Sequence, residues 1–276
     1  DTELTMGVPS VSVLAFIGSD SLELVIVPIH TPSRVPVTGT YWGLNHREGP
    51  FPLVVDDEKG LNPGIDGAGA GIKYYRNIKN FDTHLSLYRG PDKEPLFRPV
   101  KTVSEPDEPV SILVEPQFNT VTMAGIALSN TYERFIFQFE GVHSPDKTGV
   151  VDTEIDAAQI ETLLPFDTEK SHYFAYSAGF NYFLPFSTSK EGMLTAEWSR
   201  SHLLNEKLMK PFLSDVITIR INEKFFQGKL ETSLTALLNR SASLYVITPM
   251  VKYRITGSVL SEIRYAHIAG GSSSYY

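Results

Sequence analysis

The side chains best suited to acid–base or metal chemistry are seven histidines, His30, His46, His84, His143, His172, His202 and His267. They lie far apart, and neither a His-Glu-x-x-His pair nor a Gly-x-Ser-x-Gly elbow accompanies them. Metal-dependent and serine-hydrolase chemistry therefore lose their usual sequence support. The sequence has no cysteine, which removes thiol nucleophiles, thiolate zinc sites, disulfide frameworks and c-type haem attachment together. Gly64, Gly67, Gly69 and Gly71 imitate a dinucleotide-binding loop, but Ile72 stands where the last glycine belongs and no helical pattern follows. Glycines at a strand start, easing close backbone approach, fit better. What remains is charge at regular intervals. Arg134, Glu197, Arg220, Glu231, Arg254, Glu262 and Arg264 stand in segments where polar and apolar residues alternate. Such charges can select or conduct a solute only if the backbone gathers them on one wall.

That backbone reads as strands. Apolar residues recur with period two in segments of about ten, the length a tilted strand needs to cross a bilayer. In Arg134-Phe135-Ile136-Phe137-Gln138-Phe139-Glu140, the three phenylalanines share one face and Arg134, Gln138 and Glu140 the other. The split recurs over Asp82–Tyr88, Val216–Asn222, Leu230–Leu238 and Val259–Tyr265. About twelve strands follow, at 8–17, 20–29, 67–76, 79–89, 118–129, 132–143, 171–185, 191–203, 212–223, 227–239, 243–254 and 257–268. With polar faces taken as luminal, Glu23, Asp82, Glu140, Glu197, Glu231 and Glu262 stand against Lys73, Arg134, Arg220, Lys252, Arg254 and Arg264. This balance suggests cross-strand ion pairs that fill or narrow a lumen rather than a ring of one sign. Structural salt bridging is the plainer reading of these pairs and solute selection the sharper one.

Joints near 18–19, 77–78, 130–131, 186–190, 224–226 and 255–256 are short, whereas those at 30–66, 90–117, 144–170 and 204–211 are long. Short turns on one side and long loops on the other is the organisation of outer-membrane barrels. Aromatic residues gather near the short turns: Tyr74, Tyr75 and Phe81, then Tyr132, Phe183 and Phe186, and Phe225 and Phe226. An interfacial girdle would place them so. No window approaches the roughly 18 apolar residues of a membrane-spanning helix. The expectation is one all-β domain over 1–276, a transmembrane antiparallel up-and-down β-barrel of a bacterial outer membrane. With the short turns periplasmic, the first strand runs inward and the last outward, so 14 or more strands are expected in the full barrel. A soluble antiparallel sandwich, which also alternates, is the competing fold.

The long loops carry their own signals. Thr153–Leu164 has helical spacing, a Thr153/Asp156 capping box and Pro165 beyond it, which predicts one short helix. Loops 30–66, 90–117 and 144–170 are expected to narrow the lumen. Asp56, Asp57 and Glu58, then Glu105, Asp107 and Glu108, then Asp152, Glu154 and Asp156 give these loops an acidic excess. Beside lipopolysaccharide such carboxylates could bind divalent cations, although solvated charge is the plainer reading.

Two stretches resemble a family of porin-like outer-membrane proteins of unknown function from proteobacteria. They are LELVIVPIHTPSRVP over Leu22–Pro36, and LSLYRGPD over Leu85–Asp92 followed by Pro95-Leu96-Phe97. In that family an aliphatic-Pro strand end leads into a Pro-Ser/Asp-Arg-aliphatic-Pro loop, and a later strand ends in Tyr-aromatic-Arg-Gly. The resemblance runs more weakly over nearly the whole chain and implies porin-like transport, with hydrophobic compounds as one substrate class. It brings no catalytic residues.

The function expected is passage of a small solute through an outer-membrane channel bounded by lipid and lipopolysaccharide, with no cofactor and no catalysis. Two alternatives stand beside it. One is a barrel that sheathes a protein partner such as an electron-transfer cytochrome. The other is an outer-membrane lipid hydrolase with His172 or His84 as base, since its groups can sit on neighbouring strands without a motif. A net charge of −8 with no Lys/Arg run argues against a nucleic-acid partner.

Overall fold

The computed structural model describes residues 9–29, 53–55, 67–92, 95–103, 111–152, 163–185, 187, 192–209, 214–241 and 243–270. The strands in chain order are β1 (Val11–Ile17), β2 (Asp20–Val27), β3 (Leu53–Val55), β4 (Gly69–Ile78), β5 (Phe81–Pro91), β6 (Leu96–Val103), β7 (Ser111–Gln117) and β8 (Thr120–Tyr132). They continue with β9 (Phe135–Val150), β10 (Thr168–Phe183), β11 (Met193–Leu203), β12 (Asp215–Phe225), β13 (Leu230–Asn239), β14 (Leu244–Arg254), β15 (Leu260–Arg264) and β16 (His267–Gly270). No helix is among the described elements, and the helix expected over 153–164 lies outside the described residues apart from Leu163 and Leu164.

One large antiparallel sheet runs β1-β2-β4-β5-β8-β9-β10-β11-β12-β13-β14-β15, with β16 also paired to β14. It is an up-and-down sheet, consistent with a β-barrel, and it is not closed. Its path contains every strand that the alternation predicts. The segment 257–268 alone is split, because Pro249 sits opposite the gap. Tyr265 donates its N–H to Pro249 O at 3.1 Å, but proline has no N–H to return, so the ladder breaks between β15 and β16 while the register continues across it.

Short turns gather at one rim. Lys79 and Asn80 both have positive φ, 51° and 72°, the conformation of a tight hairpin whose twist matches its strands. Arg134 belongs to such a turn, between β8 and β9, and not to a strand as the alternation suggested. At the opposite rim lie the joints 28–68, 92–119, 151–167 and 204–214, and also the brief 240–243, an exception to the long-loop rule.

Two of those joints contain strands that the sequence reading left as loops. β3, β7 and β6 form a separate sheet in that order, with β3 parallel to β7 and β7 antiparallel to β6. β9 and β10 are 16 residues each, well beyond the length that crosses a bilayer, and the small sheet leans on this extension. Phe166 donates its N–H to Pro99 O at 3.1 Å, and Arg98 donates Nε–H to Phe166 O at 2.7 Å. The most buried hydrophobic side chains among the described residues, Phe166, Leu208 and Val121, cluster at this rim with Val150, Ile112 and Val114. Most of the hydrophobic core among the described residues is therefore above the sheet's middle, with Leu184 buried at the opposite rim.

Asp146 is fixed in the same region by the N–H of Thr122 at 2.8 Å and the hydroxyls of Thr122 and Ser144, both at 3.2 Å. Burial works against its charge, but these donors and nearby Lys170 together hold its carboxyl below the ordinary carboxylate range.

Candidate functional site

In an antiparallel ladder, directly paired residues share a face, so the register assigns each row to one side. The row Phe137–Phe180–Ala196–Ile219–Ala236–Ile247 crosses six strands, and Phe139–Ala178–Trp198–Ile217–Leu238–Tyr245 runs beside it. These rows are apolar yet exposed; Phe137 and Ile219 are each 47% accessible. Leu24, Ile72 and Leu87 continue this face across β2, β4 and β5. Aromatic residues bound it at both rims. Near the short turns Phe135 stacks on Tyr182 with ring centroids 4.5 Å apart; near the other rim Phe174 stacks between His143 and His202 at 4.5 and 5.6 Å.

The opposite face is charged. Lys224, Glu231, Lys252 and Glu262 are successive Cα partners from β12 to β15, an alternating row of cation and anion. Two residues further along their strands Met250 pairs with Arg264, and four residues further Arg220 pairs with Thr235. Arg264 donates to Glu262 Oε1 at 3.0 Å. Arg220, Glu231, Lys252, Glu262 and Arg264 line one recess of about 280 Å³, with Ser233, Thr235, Thr248 and Met250 between them. Three of these charges are cationic and two anionic, so the recess itself leans positive within a face of balanced charge.

Four of the residues expected on a common wall, Arg220, Glu231, Glu262 and Arg264, thus meet in one recess. Glu197 lies on the same face, opposite Thr218 on β12 and Gly179 on β10. Arg254 ends β14 opposite Leu260 and donates its N–H to Lys229 O at 2.7 Å, which puts it at the short-turn rim. Arg134 sits at that rim too, its carbonyl accepting the N–H of Phe183 at 2.9 Å, so it is not part of the wall. Lys224 was missed because it stands beside a turn; its parity with Arg220 would have found it.

A second recess on this face, of about 270 Å³, is lined by Leu14, Ser21, Glu23, Lys73, Tyr75 and His84. Glu23 and Lys73 are Cα partners there. His84 packs its ring 4.9 Å from Tyr75, and its Nδ1 has no hydrogen-bond partner. His172 is set at a break in register between β9 and β10, where its Nδ1 lies 3.0 Å from His143 Nε2.

Gly69 and Gly71 serve close approach. A Cβ on Gly69 would come 2.5 Å from the Tyr88 hydroxyl, and one on Gly71 3.3 Å from Leu87 O. Among the described residues no group of three or more His, Asp or Glu could hold a metal ion. Of the acidic loop residues, only Asp152 is described. No helix among the described residues is long and apolar enough to cross a membrane. Neither a family model, nor a curated protein, nor a solved structure matches this chain, so its fold and geometry are what bear on function.

Proposed function

We propose that the large sheet lies in a bacterial outer membrane as part of a barrel, and that its charged face lines a porin-like passage for a small solute. The observation that carries this is the segregation of faces. Rows of exposed Phe, Ile, Leu and Trp run along one side from β9 to β14, and the other side is polar, with alternating charge from β12 to β15. A soluble sandwich buries its apolar face against a second sheet. The second sheet here has three strands and leans on the rim, so the apolar rows need a different cover, and lipid supplies it, with the ladder bonds of the inner strands internal and the edges of β1 and β15 paired on closure of the barrel. The aromatic belts at both rims fit the two membrane interfaces.

The solute on this reading enters from the long-loop rim, passes the small sheet, and meets the recess of Arg220, Lys252 and Arg264 before leaving at the short-turn rim. Balanced charge over the whole face gives weak selectivity. The resemblance noted in the sequence implies the same role. The test is single-channel conductance of the full-length protein in planar bilayers. Steady, weakly selective conductance that changes on Arg220→Ser is the expected result; a protein that inserts fully and never conducts would refute the passage.

A further inference from the structure

A cavity of about 240 Å³ at the long-loop rim plays no part in the charged recess. Pro95, Leu96 and Phe97 form one wall, and Gly149, Val150, Tyr173, Leu203 and Met209 help to form the other. Tyr173 and Leu203 are Cα partners in the row next to Ala175 and Ser201, then Ser177 and Ser199, then Gly179 and Glu197. They therefore lie on the face of Glu197, and the start of β6 is folded over the lumen side of the sheet.

The lining is mostly apolar; Asn119 and Thr148 are neutral polar residues in it, and its charge is confined to one cluster. Lys147 is ion-paired with Asp92 and lies over the ring of Tyr173, 5.5 Å from its centroid. Asp92 donates its N–H to Asn119 O at 2.8 Å, which anchors it to the start of the next strand pair. Both charges also line the cavity. A dry apolar cavity of about 150 Å³ holds benzene, so this one has room for a single ring or a chain of up to about ten carbons.

We propose that this cavity binds a small, neutral, mostly apolar molecule with one hydrogen-bonding group. Charge decides the class. A carboxylate would have to sit beside Asp92 or displace it from Lys147, and an amine would face Lys147 in the same way. A hydroxyl or carbonyl meets neither penalty, because the Lys147 ammonium has three donors and its bond to Asp92 uses one, so a neutral oxygen can accept from it. The geometry deepens the passage reading: a solute arriving from the long-loop rim reaches this cavity first. It rests on that reading for the direction of arrival only, and not for the binding.

The test uses the full-length protein in detergent micelles and fluorine NMR line broadening of three probes of one size: 4-fluorobenzyl alcohol, 4-fluorobenzoate and 4-fluorobenzylamine. Saturable binding of the alcohol, at least tenfold tighter than either ion, is expected. Leu203→Trp, which fills the cavity, should abolish it. Asp92→Asn leaves Lys147 uncompensated and should turn the preference toward benzoate by about tenfold. Equal broadening in wild type and Leu203→Trp would overturn the proposal, as would benzoate binding as tightly as the alcohol, or an unchanged preference in a folded Asp92→Asn protein. Conductance separates this outcome from the previous section: a protein that conducts without binding the alcohol keeps the passage and loses the cavity, and the reverse result does the opposite.

Discussion

Glu231 and Lys252 face each other across β13 and β14, and each has a second opposite charge on its far side, Lys224 for Glu231 and Glu262 for Lys252. Opposite charges in direct register contribute about 0.2–1 kcal/mol per pair, and like charges cost a similar amount. Lys252→Glu would place three carboxylates side by side, destabilising the sheet by about 1 kcal/mol. It would also turn the recess from three cations and two anions to the reverse. The reversal potential in an asymmetric salt gradient should move toward cation preference. A selectivity that stays where it was would put this row off the conducting path.

The outer rows make the membrane reading vulnerable to a single charge. Phe137 and Ile219 lie in one row, three strand pairings apart through Phe180 and Ala196. Arg at mid-bilayer on a lipid-facing position costs about 2–4 kcal/mol, so Phe137→Arg and Ile219→Arg should each lower the yield of heat-modifiable, membrane-inserted protein. Normal assembly of both variants would remove lipid from that face.

Gly179 tests the closeness of β10 and β11. A Cβ there would stand 2.6 Å from Ala196 O and 3.1 Å from Glu197 Cα. Both are backbone atoms, which cannot swing aside as a side chain can. Gly179→Ala should therefore cost about 1–3 kcal/mol, the range of overpacking, read as a fall in urea midpoint. Gly257→Ala, where a Cβ would meet nothing, is the control and should leave the midpoint within error.

Asp146 gives the long-loop rim a pH dependence. Its carboxyl is held below the ordinary range in the folded chain, burial being outweighed by the Thr122 and Ser144 donors and Lys170. The sign follows from linkage: a depressed carboxylate stabilises the fold above the ordinary pKa of about 4, and that contribution is lost as pH falls through the ordinary and then the folded value. Asp146→Asn should be less stable than wild type near neutral pH, with the gap narrowing as the medium is acidified below about pH 4. Urea midpoints measured at several pH values check this; a constant gap would mean that Asp146 acts by shape and not by charge.

The twelve-strand path was legible because its signal is local and repeated. Val216–Asn222 and Leu230–Leu238 alternate strictly, and a one-residue slip would move every apolar side chain to the wrong face. β6 and β7 were hidden for a local reason as well. Pro99 and Pro116 interrupt them, and proline argues against a strand; both are tolerated in a sheet of three strands. The parallel pairing of β3 with β7 joins segments nearly sixty residues apart, from Leu53 to Ile112, and nothing in either segment names its partner.

Of the site, parity alone found Arg220, Glu231, Glu262 and Arg264, since residue number modulo two is enough once strands are known. It misplaced Arg134 because the turn sits at Glu133–Arg134, and turn position depends on which residue tolerates positive φ; Glu133 adopts 52°, which its residue type does not advertise.

What the sequence determined by itself is the alternation, and with it the strand path, the two unlike faces and the choice of residues for each. What only the tertiary structure decided is relative position. Register set Lys224, Glu231, Lys252 and Glu262 in one row, and folding of β6 onto the face that carries Glu197 built the cavity above Tyr173 and Leu203. The physical reason is range: side-chain period is fixed within a few residues by backbone geometry, whereas register and loop placement are settled by packing between segments far apart in the chain.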